Sequence, residues 1–198
     1  MNKVSVFIFG GAGVLLVTTM LVVVTPYAQL HTVKAESKLR PYTEAQARGR
    51  KIYVSLGCLY CHSQQPRDRS FAPDESRGWG RAPTAGDYAY DYPHQLGTMR
   101  TGPDLFNIGA RQPSRDWQLT HLYQPRAVVA QSLMPSFRFL FVEKPRAAPG
   151  DVIVKGVERW TTPGDVVVPT QDALDLVEYL RGLDHTYPSD LLPKEKTP

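Results

Sequence analysis

Residues 58–62 read Cys58-Leu59-Tyr60-Cys61-His62, and this pentapeptide holds both cysteines of a 198-residue chain. Two thiols three positions apart can each add across one vinyl group of the same porphyrin, and the adjacent histidine then lies close enough to coordinate its iron. The motif predicts one covalently bound haem c, and with it redox chemistry. Other uses of Cys-x-x-Cys ask for more than the chain has. A zinc site wants about four nitrogen or sulfur ligands. No second cysteine pair exists, and His31, His94, His121 and His185 are too scattered to supply a His-x3-5-His partner. A dithiol redox site wants a βαβ setting that the flanking residues do not provide.

Working outward, the length suits one globular domain with accessories. With 17 prolines and 15 glycines, much of that domain should be ordered loop. The net charge of +4 comes from mixed signs without a Lys/Arg run, so the chain is not read as a nucleic-acid binder. Once a haem takes both thiols, no cysteine is left for a disulfide.

Upstream, Val4 to Val24 is 21 residues without a charge. At 1.5 Å per residue they span about 30 Å, the thickness of a bilayer core. A cleaved signal peptide would have a shorter apolar region and a small-x-small cleavage site, and Thr25-Pro26-Tyr27-Ala28 is a poor one. A retained single-pass anchor in membrane lipid is the expectation. Lys34, Lys38 and Arg40 outnumber Lys3, which by the positive-inside rule would leave the domain in the cytoplasm. Covalent haem attachment takes place on the outer face of bacterial membranes, and that argument is given precedence: haem domain in the periplasm or on the outer face.

Just before the haem motif, Thr43 and Gln46 form a capping-box pair. Ala45, Gly49, Ile52, Tyr53 and Leu56 then recur on one helical face, and Gly57 stands where a left-handed cap is wanted. A second amphipathic helix is predicted over Gln171 to Gly182, with Gly49 leaving room for it to cross near Leu176, Tyr179 or Leu180. A third, short helix is expected from Arg115 to Tyr123, capped by Ser114, with Trp117 partly inward as core against the porphyrin rather than as an electron-input residue. Valines at 152, 154, 157 and 166–168 suggest short β-like runs within a surface excursion over 142–168. Arg67, Arg69, Arg77 and Arg81 read as a solvated loop, or alternatively as a docking patch for an acidic partner.

Thr101-Gly102-Pro103-Asp104-Leu105 and Gly109-Ala110-Arg111 resemble the segment of small soluble cytochromes c that wraps the proximal side of the haem. That resemblance implies that the Pro103 carbonyl accepts the His62 N–H, and that Arg111 bonds a haem propionate. For the sixth iron ligand the choice is short. Met1 and Met20 belong to the anchor region, and Met99 is too near the proximal segment. Met134, in a loop stiffened by Pro135, is the expected ligand, with His121 or His94 as alternatives.

Taken together, these segments are similar to the membrane-anchored mono-haem subunit (subunit II) of cbb3-type cytochrome c oxidases. The likeness runs from the anchor through Arg40-Pro41-Tyr42-Thr43, Gly49 to Tyr53, Cys58 to Gln64, Trp79-Gly80, Ala85-Gly86-Asp87, Tyr90 to Pro93, Arg100 to Leu105, Gly109-Ala110-Arg111, Asp116-Trp117 and Met134-Pro135. It departs at Gln65-Pro66 and over Phe137 to Thr170. The resemblance implies a mainly α fold: a single transmembrane helix (1–30), a linker (31–40), a class I cytochrome c domain (41–185) and a C-terminal tail (186–198). It also implies a redox subunit, not a catalyst. Electrons would pass from a dihaem subunit or soluble cytochrome c to a haem-copper oxidase catalytic subunit. A free-standing anchored cytochrome c and a nitric oxide reductase subunit are the alternatives.

Overall fold

The computed structural model describes residues 2–192. Its N-terminal part is one continuous apolar helix from Lys3 to Leu30, long enough to cross a membrane and with none of its surface buried by the rest of the chain. Within it, α1 (Lys3–Thr19) passes through a π-helical turn, Met20–Val24, into α2 (Thr25–Leu30). Pro26 gives the turn its cause. Proline has no N–H to donate four residues back and its ring crowds that carbonyl. The widened turn absorbs this mismatch, with the Thr25 N–H reaching the Met20 carbonyl instead.

In the rest, helices are the main regular structure, joined by long ordered loops. Helix α3 (Glu44–Ser55) begins at the reciprocal Thr43–Gln46 capping box and ends against Gly57, whose φ of 69° is open to glycine at little cost. Next come α4 (Ile108–Arg111), α5 (Arg115–Tyr123, capped by the Ser114 side chain) and, last, α6 (Gln171–Gly182, capped by Thr170). Between α5 and α6 lies one antiparallel strand pair, β1 (Phe141–Lys144) with β2 (Val166–Pro169), in which Val142 faces Val168.

The α3–α6 crossing sets the core. A Cβ on Gly49 would stand 1.9 Å from the Asp175 carbonyl oxygen and 2.9 Å from the Tyr179 Cβ, so only glycine lets the helices come this close. The crossing is therefore made on Tyr179, one of the three contacts expected, and on Asp175, the residue next to the expected Leu176. Beside it Tyr53 and Tyr179, both fully buried, tilt against each other at 5.3 Å. The Arg48 guanidinium closes the edge by a forked pair with Asp175 at 2.6 and 3.0 Å.

One expectation is corrected by the packing. The stretch 142–168 is not merely a surface excursion: Val154, Val157 and Val167 are buried in the same core as Leu119, Leu122 and Leu176. The Val154 N–H reaches the Val167 carbonyl at 2.9 Å, and Thr120 Oγ1 on α5 reaches the Lys155 carbonyl at 2.9 Å. The segment is a flap whose valines cover the open side of α5. The linker 31–40 is likewise docked at Glu36, which is buried. Of the tail 186–198, residues 193–198 lie outside the described residues.

Candidate functional site

After Gly57 the chain makes a single tight helical turn, Cys58–Tyr60, which carries the haem motif. Cys58 is half-buried against the core, Cys61 is exposed, and both are free thiols. Burial pushes the Cys58 thiol up to about 11, so it stays protonated at neutral pH. The turn is closed by the His62 N–H on the Cys58 carbonyl at 3.0 Å.

The proximal segment is zipped onto this turn through the backbone. Gly102 N–H donates to the Cys61 carbonyl at 3.0 Å, and Leu105 N–H to the Ser63 carbonyl at 2.8 Å. These two bonds bring the Pro103 carbonyl oxygen within 2.7 Å of His62 Nδ1. A carbonyl only accepts, so Nδ1 carries the proton and Nε2 presents its lone pair. Burial lowers the imidazole's proton affinity, with the Pro103 bond opposing it, and the ring is neutral as a metal ligand must be. Gly102 lies flat on the ring: a Cβ there would be 2.2 Å from His62 Cε1.

A buried ionic network holds the segment in that register, and single-sequence reading gave no hint of it. Asp104, fully buried, accepts from Ser63 Oγ at 2.6 Å, Gln65 N at 2.8 Å and Phe106 N at 2.8 Å. Arg100 donates to Ser63 Oγ at 3.0 Å, to the Gln65 carbonyl at 2.9 Å and to the buried Asp74 at 2.9 Å, and lies over the Trp79 ring. Burial nonetheless holds the Asp104 carboxyl above the usual carboxylate range. The only trace in the sequence is a cluster of charges around the Thr-Gly-Pro segment, which looks the same as a solvated surface.

Arg111 donates one nitrogen to the Asp104 carbonyl, but its Nε is buried with no hydrogen-bond partner. Burial lowers its pKa, offset in part by the Asp104 charge. Arg115 Nε is buried and unpartnered as well. Buried guanidinium donors without acceptors are costly, and an anionic group would satisfy them. Arg115 was not singled out in the sequence, since an arginine at a helix start looks like ordinary surface charge.

Met134 is half-buried and packs on the same core as Cys58 and Leu59. His121 is stacked on the half-buried Trp117, centroids 4.6 Å apart at 13°. It is held down to about 4, by burial first, with electrostatic coupling to His62 adding to the shift. Met99 and His94 are exposed, His94 lying edge-on to Tyr88 and Tyr92. Three of the four loop arginines are engaged within the domain: Arg81 grips Asp87, Arg69 pairs with Glu75, and Arg77 lies over Trp79.

The donors thus suit an iron porphyrin: two free thiols on one turn, a neutral imidazole with an open Nε2, a nearby thioether, and buried guanidinium nitrogens in need of carboxylates. Among the described residues no three His, Cys, Asp or Glu side chains gather as a metal cluster. Comparison with curated proteins finds no match. The family described as Cytochrome C oxidase, mono-heme subunit/FixO matches residues 1–156, a span that takes in the apolar helix, the Cys58–His62 turn, Pro103, Arg111 and Met134.

Proposed function

Because the chain belongs to the FixO family of mono-haem subunits of cbb3-type cytochrome c oxidase, we propose that it holds one covalent haem c and relays single electrons at the outer face of the membrane. The donor is a dihaem or soluble cytochrome c, and the acceptor a haem-copper catalytic subunit. Residues 1–30 anchor it in lipid, 31–40 link, 41–185 form the cytochrome c domain and 186–198 the tail.

The observation that carries this reading is the 2.7 Å approach of the Pro103 carbonyl to His62 Nδ1 beside two free thiols. Cys58 and Cys61 would hold the haem as thioethers, each formed by S–H addition across a vinyl double bond with no oxidant needed. His62 would bind the iron through Nε2, its ring oriented and made more basic by Pro103. Met134 would supply a second iron ligand, and a thioether favours the ferrous state. Arg111 and Arg115 would bind the propionates through their unused Nε donors. The haem supplies the one-electron ferric–ferrous couple. A second reading of the distal ligand, His121, is favoured by its burial close to His62.

Purification from detergent-solubilised membranes tests the proposal. The chain is expected to keep haem after denaturation in SDS and to co-purify with a multi-span haem-copper subunit in a complex that consumes oxygen. Recovery as a lone monomer, or in a complex that reduces nitric oxide, would overturn it.

A further inference from the structure

Six residues past the end of the apolar helix, Glu36 is a carboxylate with only 2% of its surface exposed. Burying an acidic side chain on a linker is costly unless every oxygen is bonded. Here each is. Oε1 accepts from Thr84 Oγ1 at 2.7 Å and from Ser189 Oγ at 2.5 Å, and Oε2 accepts from the Asp190 N–H at 2.7 Å. The backbone joins in: Glu36 N–H donates to the Gly86 carbonyl at 3.3 Å, and Ser37 N–H to Asp190 Oδ2 at 2.8 Å. Three separate stretches, 36–37, 84–86 and 189–190, thus meet on one carboxylate. A second knot lies next to the first. Arg81 grips Asp87 with two 2.8 Å bonds, and Tyr187 OH donates to Asp87 at 3.0 Å. The 84–88 loop leads on to the haem motif, because Tyr88 OH donates to the carbonyl of Gln64 at 2.7 Å, two residues beyond His62.

We propose that Glu36 is a positioning residue: it clamps the membrane-proximal segment and the C-terminal tail onto the floor of the haem domain. The haem is thereby held at one height and tilt over the bilayer. This inference rests on the reading of 1–30 as an anchor and of Cys58–His62 as a haem site. It adds that the domain is a fixed relay rather than a carrier swinging on a tether. The Val33 N–H donates back to the Leu30 carbonyl at 3.0 Å, so the clamp leaves only a short step through Lys34 and Ala35 between the anchor's last turn and Glu36. With the clamp open, the free stretch runs on to residue 40, and the ends of a flexible chain of that length wander over on the order of 15 Å.

Full-length haem-loaded protein in lipid nanodiscs tests this, with spin labels at Gln29→Cys on the anchor and Lys51→Cys on α3. Thioether formation at Cys58 and Cys61 confines labelling to the two introduced sites. Pulsed electron paramagnetic resonance is expected to give one narrow distance in the parent. Glu36→Ala should broaden it severalfold, and Ser189→Ala, which removes one of three bonds, less so, while haem absorption stays unchanged. A broad distance in the parent, or a Glu36→Ala distance as narrow as the parent's, overturns the clamp. Ser189→Ala keeps the question open to a decision should Glu36→Ala fail to fold: broadening supports the clamp, and an unchanged width overturns it. Four labels per chain instead of two would show free thiols at 58 and 61, which sinks the haem reading, not the clamp.

Discussion

His62 Nδ1 stands 2.7 Å from the carbonyl oxygen of Pro103, and Gly102 lies against the face of the same imidazole. The two contacts belong together, because the peptide that aims the carbonyl can pass the ring only without a side chain at 102.

Gly102→Ala is therefore expected to push the proximal segment off the ring. Its Cβ would sit 2.2 Å from His62 Cε1, and overpacking of this kind costs about 1–3 kcal/mol. The ratio of Soret to protein absorbance should fall and the midpoint potential should rise, because an imidazole made less basic stabilises ferric iron less. Parent-like values for both would mean that the Pro103 contact does not set the ligand.

Met134→Ala should lower the midpoint potential and let the ferrous protein bind carbon monoxide readily, because the thioether that favours ferrous iron is gone. His121→Ala should leave both properties close to the parent. If the two variants exchange behaviour, the distal ligand is His121. Optical redox titration with a carbon monoxide difference spectrum reads both.

Gly49→Ala tests the crossing that places the haem turn. An added methyl would meet the Asp175 carbonyl at 1.9 Å, and backbone has little freedom to yield. The variant should lose about 3 kcal/mol or more of stability, read by denaturant unfolding of the haem domain. Gly10→Ala on the apolar helix meets nothing within 4 Å and serves as the neutral comparison. Equal stabilities would show that the α3–α6 approach is looser than drawn.

How much of this was legible in the sequence depends on whether local chemistry or distant packing decides each feature. The Thr43–Gln46 box, the Ser114 cap and the 171–182 periodicity are local, and α3, α5 and α6 stand where they predict. The left-handed Gly57 that starts the Cys58–Tyr60 turn is legible for the same reason. Arg100, Asp74, Asp104 and Glu36 are not, because a buried charge differs from a solvated one only in partners many residues away. Val154 and Val157 fall between: their spacing suggests short β-like runs, but such a run does not say what it packs against. Burial of the flap against α5 comes from tertiary contacts alone.

His185 leads to a prediction in pH. Its ring is buried, stacked on Phe106 at 4.0 Å and 9°, and its Nδ1–H donates to the Phe106 carbonyl at 2.7 Å. Burial lowers its pKa below the ordinary 6.5, the Phe106 bond opposing in part. Above that ordinary value neither folded nor unfolded chain protonates the ring, so it adds no pH dependence. As pH falls through 6.5 the unfolded chain takes up the proton first, and stability drops until the lowered folded value is passed. His185→Gln removes this uptake, so its unfolding free energy should decline less steeply than the parent's between pH 6.5 and the acid limit of folding. Denaturant melts at stepped pH check this, and parallel slopes for the two proteins would show that His185 is protonated as easily in the fold as out of it.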